Sequence, residues 1–463
     1  MSRAALVASR DTVEPEDAPR LVERLLPATP AATGKRTALG YLAAFVAAVG
    51  FLLLIPAGRS HLDHVWAEDG ALFLLESITK PFAATVFDPY AGYLHTLPRL
   101  VAELVSLLPL EWAAAGFAIA AACLRAVVAL IVFAASGGVL RSLPVRFALA
   151  AVVIVLPAGN TETINNMANL HWFLLYGVFW ALLWRPAARW QNVAGAVFVA
   201  LAAASTPMVV FLAPIALLRL VLPGRMITIG FFLGSAAQAC AVLLSEGRAY
   251  SKEAVDPLQL VLAAAFRGPL VALTGSEGVA KFFPRFGFWP ALAAVLVFLV
   301  PIVFALVWGS PAHRFVAVSA VTLHGLVLGA SLVANWMGGL EVHYVWAVMF
   351  GQRYSIAPCL FLFAALAVGL DTVRRPRWAR GTVLTTRVLV TLSVLASIYL
   401  HTTAPAGRVH GTALGGRLDG PAWAPGVAKA RESCARGESV GRIAQEPVTE
   451  GWEMGLPCAF LKR

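Results

Sequence analysis

Apolar positions run on without alternation along much of this chain. Residues 39–56, 286–308 and 354–370 are stretches close to the ~20 residues that cross a bilayer as a helix. Barrel strands would switch between apolar and polar at every second position, and these runs do not. Lipid admits only helices and closed barrels, because backbone N–H and C=O groups find no outside partner there. The pattern therefore predicts an all-α polytopic membrane protein with about 11 transmembrane helices.

Polar breaks order these spans. A tail over 1–36, mixed in sign, is expected to be disordered and cytoplasmic. The bundle is expected over 37–403, with a large first external loop at 58–110 that is too polar to cross directly. The stretch 191–222 reads as a tight helical hairpin broken at Thr206-Pro207. Residues 257–285 are interrupted by Arg267, Lys281 and Arg285, and read as an interfacial helix and loop that place lipid headgroups. Residues 404–463 form a final extracytoplasmic segment on this path.

Charge supports the same path. The 463 residues are 59% hydrophobic and 13% charged, about half the charged share of a soluble domain. The net charge of +11 comes as arginine pairs between apolar runs, at 141/146, 185/189, 219/225 and 374–387. Short loops retained in the cytoplasm carry that signature, which puts the N-terminus inside and the C-terminus outside a cell membrane. Membrane lipids are then the partners of this charge, and nucleic acid is not. Cys123, Cys240 and Cys359 fall within expected spans. Cys434 and Cys458 form an even pair in the outer tail, where a disulfide persists, and are expected to be bridged.

Candidate chemistry gathers at the outer ends of the spans. HLDHVWAEDG carries Asp63, His64, Glu68 and Asp69, and YAGYLHTLPR carries Tyr90, Tyr93, His95 and Arg99. TETINNMANLHW carries Glu162, Asn165, Asn166, Asn169 and His171, and GQRY carries Gln352, Arg353 and Tyr354. Together they offer a carboxylate pair, amides and aromatics suited to hydroxyl groups, and a cation suited to phosphate. Sugar transfer outside the cell needs that set. A carboxylate takes the proton of an acceptor hydroxyl, and an arginine steadies the charge of a departing phosphate. Asp69, followed by Gly70, is the preferred base, with Glu68 close behind. His64 and Glu68 are too few to hold a metal. No cofactor is implied, and a divalent metal is left open.

On WAEDG in the first loop and the late Arg353-Tyr354, the chain resembles the GT-C superfamily of polyprenyl-phosphate-dependent membrane glycosyltransferases. The Trp-rich tail (Trp423, Cys434, Trp452, Cys458) is similar to the extracytoplasmic ends of actinobacterial members. The resemblance implies an inverting transferase working at the outer face on a polyprenyl-phosphate sugar donor and a cell-envelope glycan or glycolipid acceptor. It implies Glu68 or Asp69 as base and Arg353 at the donor phosphate, with the 95–99 and 165–171 clusters shaping the sugar and acceptor sites. The chain has no GxxxxGK[ST] loop and no HExxH, so ATP-driven pumping and zinc proteolysis are unsupported. A transporter or flippase, needing ionisable residues on several spans, is the main alternative; Arg125 and Gln238 are the chief exceptions to otherwise clean spans. A catalytically dead scaffold for envelope assembly is a third.

Overall fold

The computed structural model describes residues 20–30, 34–55, 61–159, 161–245, 253–336, 351–372, 379–403, 408–409, 412–413, 420–447 and 451–461. Helices of eight residues or more are numbered in chain order. They are α1 (Lys35–Leu54), α2 (Thr96–Val105), α3 (Ala113–Ser136), α4 (Leu143–Val155) and α5 (His171–Leu183). Next come α6 (Arg189–Ala203), α7 (Met226–Leu244), α8 (Pro257–Ala265), α9 (Val271–Phe286) and α10 (Trp289–Trp308). The last are α11 (Pro311–Ala334), α12 (Arg353–Asp371), α13 (Ala379–Thr403) and α14 (Trp423–Ala435). Among the described residues, 7 helices are long and apolar enough to cross a membrane, and shorter apolar helices lie at Leu143–Val155, His171–Leu183 and Pro207–Arg219. The chain is a multi-pass α-helical membrane protein.

Two helices form the axis. Every residue of α5, and every residue of α12 after Arg353, is buried. A helix that is apolar all round has no face to give to water, so it goes to the centre. Both α10 and α11 pack on α12, and Gly369 lets α10 come close, since a Cβ there would stand 2.1 Å from the Pro301 carbonyl oxygen. Phe361 meets Tyr176 and Phe179 of α5 with ring centroids 5.6 and 5.4 Å apart. The rim is the reverse: α1 has only Leu52 buried among its described side chains, and Leu39, Leu42, Val46, Leu243 and Leu244 stand exposed. An apolar surface of that extent belongs against lipid, not water.

The two ends of the bundle differ in chemistry. At the C-terminal end of α12, Asp371 accepts from the Arg141 and Ser142 amides, each at 2.8 Å, and Arg387 donates to the Leu370 carbonyl at 2.9 Å. Across the 19 residues of α12, about 27 Å at 1.5 Å per residue, lies the end that carries Arg353 and the start of α5. Arg141 and Arg387 therefore sit at the opposite end of the bundle from Arg353 and the start of α5.

The tail folds as α14 followed by an antiparallel hairpin of β1 (Val440–Ala444) and β2 (Glu453–Pro457), paired Val440↔Pro457 through Ala444↔Glu453. Cys434 and Cys458 are joined as expected, with Cα atoms 5.5 Å apart. The unit docks on the first loop: the Trp423 amide donates to the Asp63 carbonyl and its indole to the Leu110 carbonyl, both at 2.7 Å. Tail and first loop thus share one face of the bundle.

Three expectations need correction. Part of the tail expected to be disordered is ordered: Leu21–Leu25 is helical, Leu26 is buried, and Arg185 donates to its carbonyl at 2.9 Å. Its apolar Val22, Leu25 and Leu26 find the core there, which composition over the whole tail conceals. Residues 257–285 are not merely interfacial, since Pro257–Ser276 is long and apolar enough to span. Nor does Arg267 place headgroups: it is fully buried and donates to the Gly351 carbonyl. The loop after α11 and the basic positions 374, 375 and 377 lie outside the described residues, whereas the hairpin break at Thr206-Pro207 is present between α6 and a 3-10 turn.

Candidate functional site

The first loop does not cross the bundle; it turns back through short helices. A π-helical turn, Asp69–Leu74, opens with the acidic pair. Such turns shift side chains by one position and recur at functional sites. Asp69 is 1% exposed, and its two oxygens accept from the Met167 amide (2.9 Å) and the Ala168 amide (2.8 Å). A buried carboxylate is tolerable only with such partners, and here the main chain supplies both. Glu68 is half-buried at the start of the same turn.

The segment that binds Asp69 is the Asn-rich stretch 161–170. Its own amides fold it: Asn166 and Asn169 both donate to the Glu162 carbonyl, at 2.8 and 3.1 Å, and the Asn169 amide donates to Asn166 Oδ1 at 2.9 Å. Asn165 adopts a φ of 49°, a left-handed conformation that asparagine tolerates, and donates to the Leu52 carbonyl of α1 at 2.7 Å. These bonds leave the Glu162 carboxylate to Arg353. It accepts from the guanidinium at 2.5 Å and from the Arg353 amide at 3.2 Å. The carboxylate thus caps the N-terminus of α12, where negative charge is favoured. The Arg353 side chain keeps 35% of its surface exposed, and Glu68 lies within its electrostatic reach.

Aromatic rings connect the remaining clusters. Tyr90 and Tyr93 bond each other's main chain around Ala91 and Gly92, both at positive φ, and the resulting tight turn delivers Tyr93 beside His95. Their centroids are 4.1 Å apart, and His171 lies 6.2 Å from Tyr93 and 6.3 Å from His95. His171 leads to Trp172 at 4.7 Å, and Trp172 to Tyr354 at 5.7 Å. Burial, and then the nearby His171 and Arg99, hold His95 well below the ordinary histidine range, so it is a neutral ring. Arg99 is 1% exposed and engaged: Glu76 takes its guanidinium at 2.5 Å.

The structure thus gathers Glu68, Asp69, Tyr93, His95, Asn165, Asn166, Asn169, His171, Arg353 and Tyr354 around one loop. Asn166 and Asn169 spend their side-chain bonds shaping that loop, and Arg99 is bound to Glu76. Sequence reasoning gave no role to Glu76 or Gln445 and misjudged Arg267, whose carbonyl partner Gly351 is two residues before Arg353. Arg267 carried a signal, an arginine inside an apolar run. Four buried polar atoms near the loop, His95 Nδ1, His171 Nδ1, Asn165 Oδ1 and Trp172 Nε1, have no hydrogen-bond partner among the described residues. Each such group costs roughly 1–3 kcal/mol when left unmet. Among the described residues no group of three or more His, Cys, Asp or Glu side chains is placed to hold a metal ion.

No protein-family model matches this sequence, and no curated protein matches it. Among solved structures, the chain is similar to the arabinofuranosyltransferase AftD from mycobacteria, at 15% identity and a TM-score of 0.47. The match covers 91% of this chain and 31% of that one, so this chain spans less than a third of that enzyme's length.

Proposed function

We propose that this protein is a membrane-embedded inverting glycosyltransferase, moving a sugar from a polyprenyl-phosphate donor to a glycan or glycolipid of the cell envelope. One observation carries the reading: a single loop, 161–170, binds Asp69 at one end and Arg353 at the other. Acid and cation are thereby held on either side of the same short segment.

In the proposed reaction, a carboxylate takes the proton from the acceptor hydroxyl while that oxygen attacks the anomeric carbon. The bond from that carbon to the phosphate oxygen breaks with inversion, and the polyprenyl phosphate leaves with the electron pair. Arg353 offers a planar fork of donors to that phosphate as its charge develops. Tyr354 lies under the guanidinium, 5.1 Å from its centre, and steadies it. Within the acidic pair, the geometry favours Glu68 as base over the expected Asp69, whose oxygens are each held by a main-chain amide. Oxygens spent on those two amides give Asp69 the task of placing the loop. Tyr93, His95 and His171 form a neutral aromatic wall for the sugar.

Transport is less well supported. The buried arginines that would mark a path are bound to main-chain carbonyls: Arg125 to Val153 and Ile154, Arg219 to Leu182, Arg267 to Gly351. Groups fixed in that way brace helix ends and do not relay a substrate. The test is purified protein in detergent with radiolabelled polyprenyl-phosphate sugars and envelope glycans. Labelled product is expected from wild type and not from Glu68→Gln or Arg353→Ala. Transfer by both variants at the wild-type rate would end this reading.

A further inference from the structure

The first loop does not hold its acidic pair unaided. Gln445 follows β1 directly, is 1% exposed, and accepts at Oε1 from the Ala71 amide at 3.1 Å. Ala71 lies one turn into the helical run that begins at Ala67, just after Asp69 and Gly70, whose amides turn back to the Trp66 carbonyl. A Cβ on Gly70 would stand 2.4 Å from Gln445 Nε2. The carboxamide therefore lies flat on the backbone beside Asp69, an approach that glycine allows.

Main-chain bonds fix the same approach from both sides. The Glu446 amide donates to the Val65 carbonyl at 3.1 Å, and the Ala67 amide donates to the Glu446 carbonyl at 2.5 Å, forming a parallel bridge with Trp66. The Gln445 amide bonds the Trp452 carbonyl at 3.0 Å and extends the β1–β2 ladder. The hairpin, closed by Cys434–Cys458, thus sets where the carboxamide sits.

We propose that Gln445 is a positioning residue for the acidic pair: the C-terminal hairpin lays, from a distant part of the chain, a side-chain cap over the turn that carries Glu68 and Asp69. Its consequence for catalysis rests on the transferase reading above; the cap itself does not. Among the described residues Gln445 is hydrogen-bonded to neither Arg353 nor its partner Glu162, so the donor phosphate would bind as before and only the reacting carboxylate would wander.

Hydrogen exchange read by mass spectrometry on the full chain in detergent tests this. In Gln445→Met, which keeps the volume and removes the acceptor, peptides over 66–74 are expected to exchange about three- to tenfold faster, while α5 and α12 stay unchanged. Unchanged exchange over 66–74 overturns the cap. Should that variant loosen throughout, wild type treated with a phosphine reductant decides: opening the disulfide should speed exchange over 66–74 together with 440–457. A tail that loosens while 66–74 holds overturns the proposal equally. In transfer assays the variant should lose kcat about tenfold with donor KM unchanged; a wild-type kcat despite faster exchange overturns the positioning role. Wild type that transfers no sugar defeats the transferase reading, and exchange still decides the cap.

Discussion

Asp69 and Arg353 never need to touch in order to be coupled, because the loop between them binds both. Asp69 holds the amides of Met167 and Ala168, and Arg353 holds the carboxylate of Glu162, five residues earlier. Three hydrogen bonds made by Asn166 and Asn169 close the segment between those two ends. This linkage separates residues that shape the site from residues that would react.

The separation predicts opposite outcomes within the acidic pair. Asp69→Asn replaces one acceptor oxygen by an NH2 that faces a main-chain N–H, in a fully buried place. We expect a loss of about 2–3 kcal/mol in stability, read as a lower unfolding midpoint in detergent. Glu68→Gln, half-buried and outside that pair of bonds, should destabilise less than Asp69→Asn while lowering transfer by about 100-fold or more. A Glu68→Gln protein as unstable as Asp69→Asn would contradict the division of roles.

Much of this was legible beforehand, for reasons that differ by element. Lipid enforces long apolar runs, so α1, α10 and α12 stand out in the sequence, and the acid pair and Arg353 stand out as polar residues at span ends. Which runs face lipid was not legible: α1 and α12 read alike, yet one lies at the rim and the other on the axis. Periodicity carries no signal when every position is apolar. Nor does a sequence say that Asp69 spends its oxygens on amides at 167 and 168, since any loop can offer N–H groups. The Gln445–Ala71 bond spans 374 positions, and nothing local to either residue announces it.

The Glu162–Arg353 pair should behave as a coupled unit. Removing either partner leaves the other without its main hydrogen-bond partner, so Glu162→Ala and Arg353→Ala should each destabilise, and the double variant should cost less than their sum. A double-mutant cycle on unfolding midpoints is expected to give about 1 kcal/mol of coupling, at the low end of the range for contacting residues because Arg353 is one-third exposed. Strict additivity would mean that the loop does not depend on this pair.

Opening the Cys434–Cys458 bridge should cost stability mainly through the unfolded chain. The crosslink closes a loop over a sequence separation of 24, for which chain entropy gives roughly 3 kcal/mol. Cys434→Ser with Cys458→Ser should therefore lower the unfolding midpoint of the tail, followed by limited proteolysis between α14 and β2. A tail equally resistant in both proteins would show that docking on Asp63 and Leu110 alone holds it.

His95 gives the fold a pH dependence whose sign is fixed by burial. Its folded-state pKa lies well below the ordinary value near 6.5, because desolvation first, and then His171 and Arg99, disfavour the charged ring. As pH falls through about 6.5 the unfolded chain takes up a proton that the folded chain refuses. The stability that neutral His95 contributes is thus complete above about pH 6.5 and drains away below it, with a slope of up to about 1.4 kcal/mol per pH unit. His95→Asn cannot titrate there, so its unfolding midpoint between pH 5 and 7 should fall less steeply than that of wild type. Parallel curves over that range would mean that His95 is solvated in the folded protein, and the aromatic wall around Tyr93 would have to be looser than its 4.1 Å ring spacing implies.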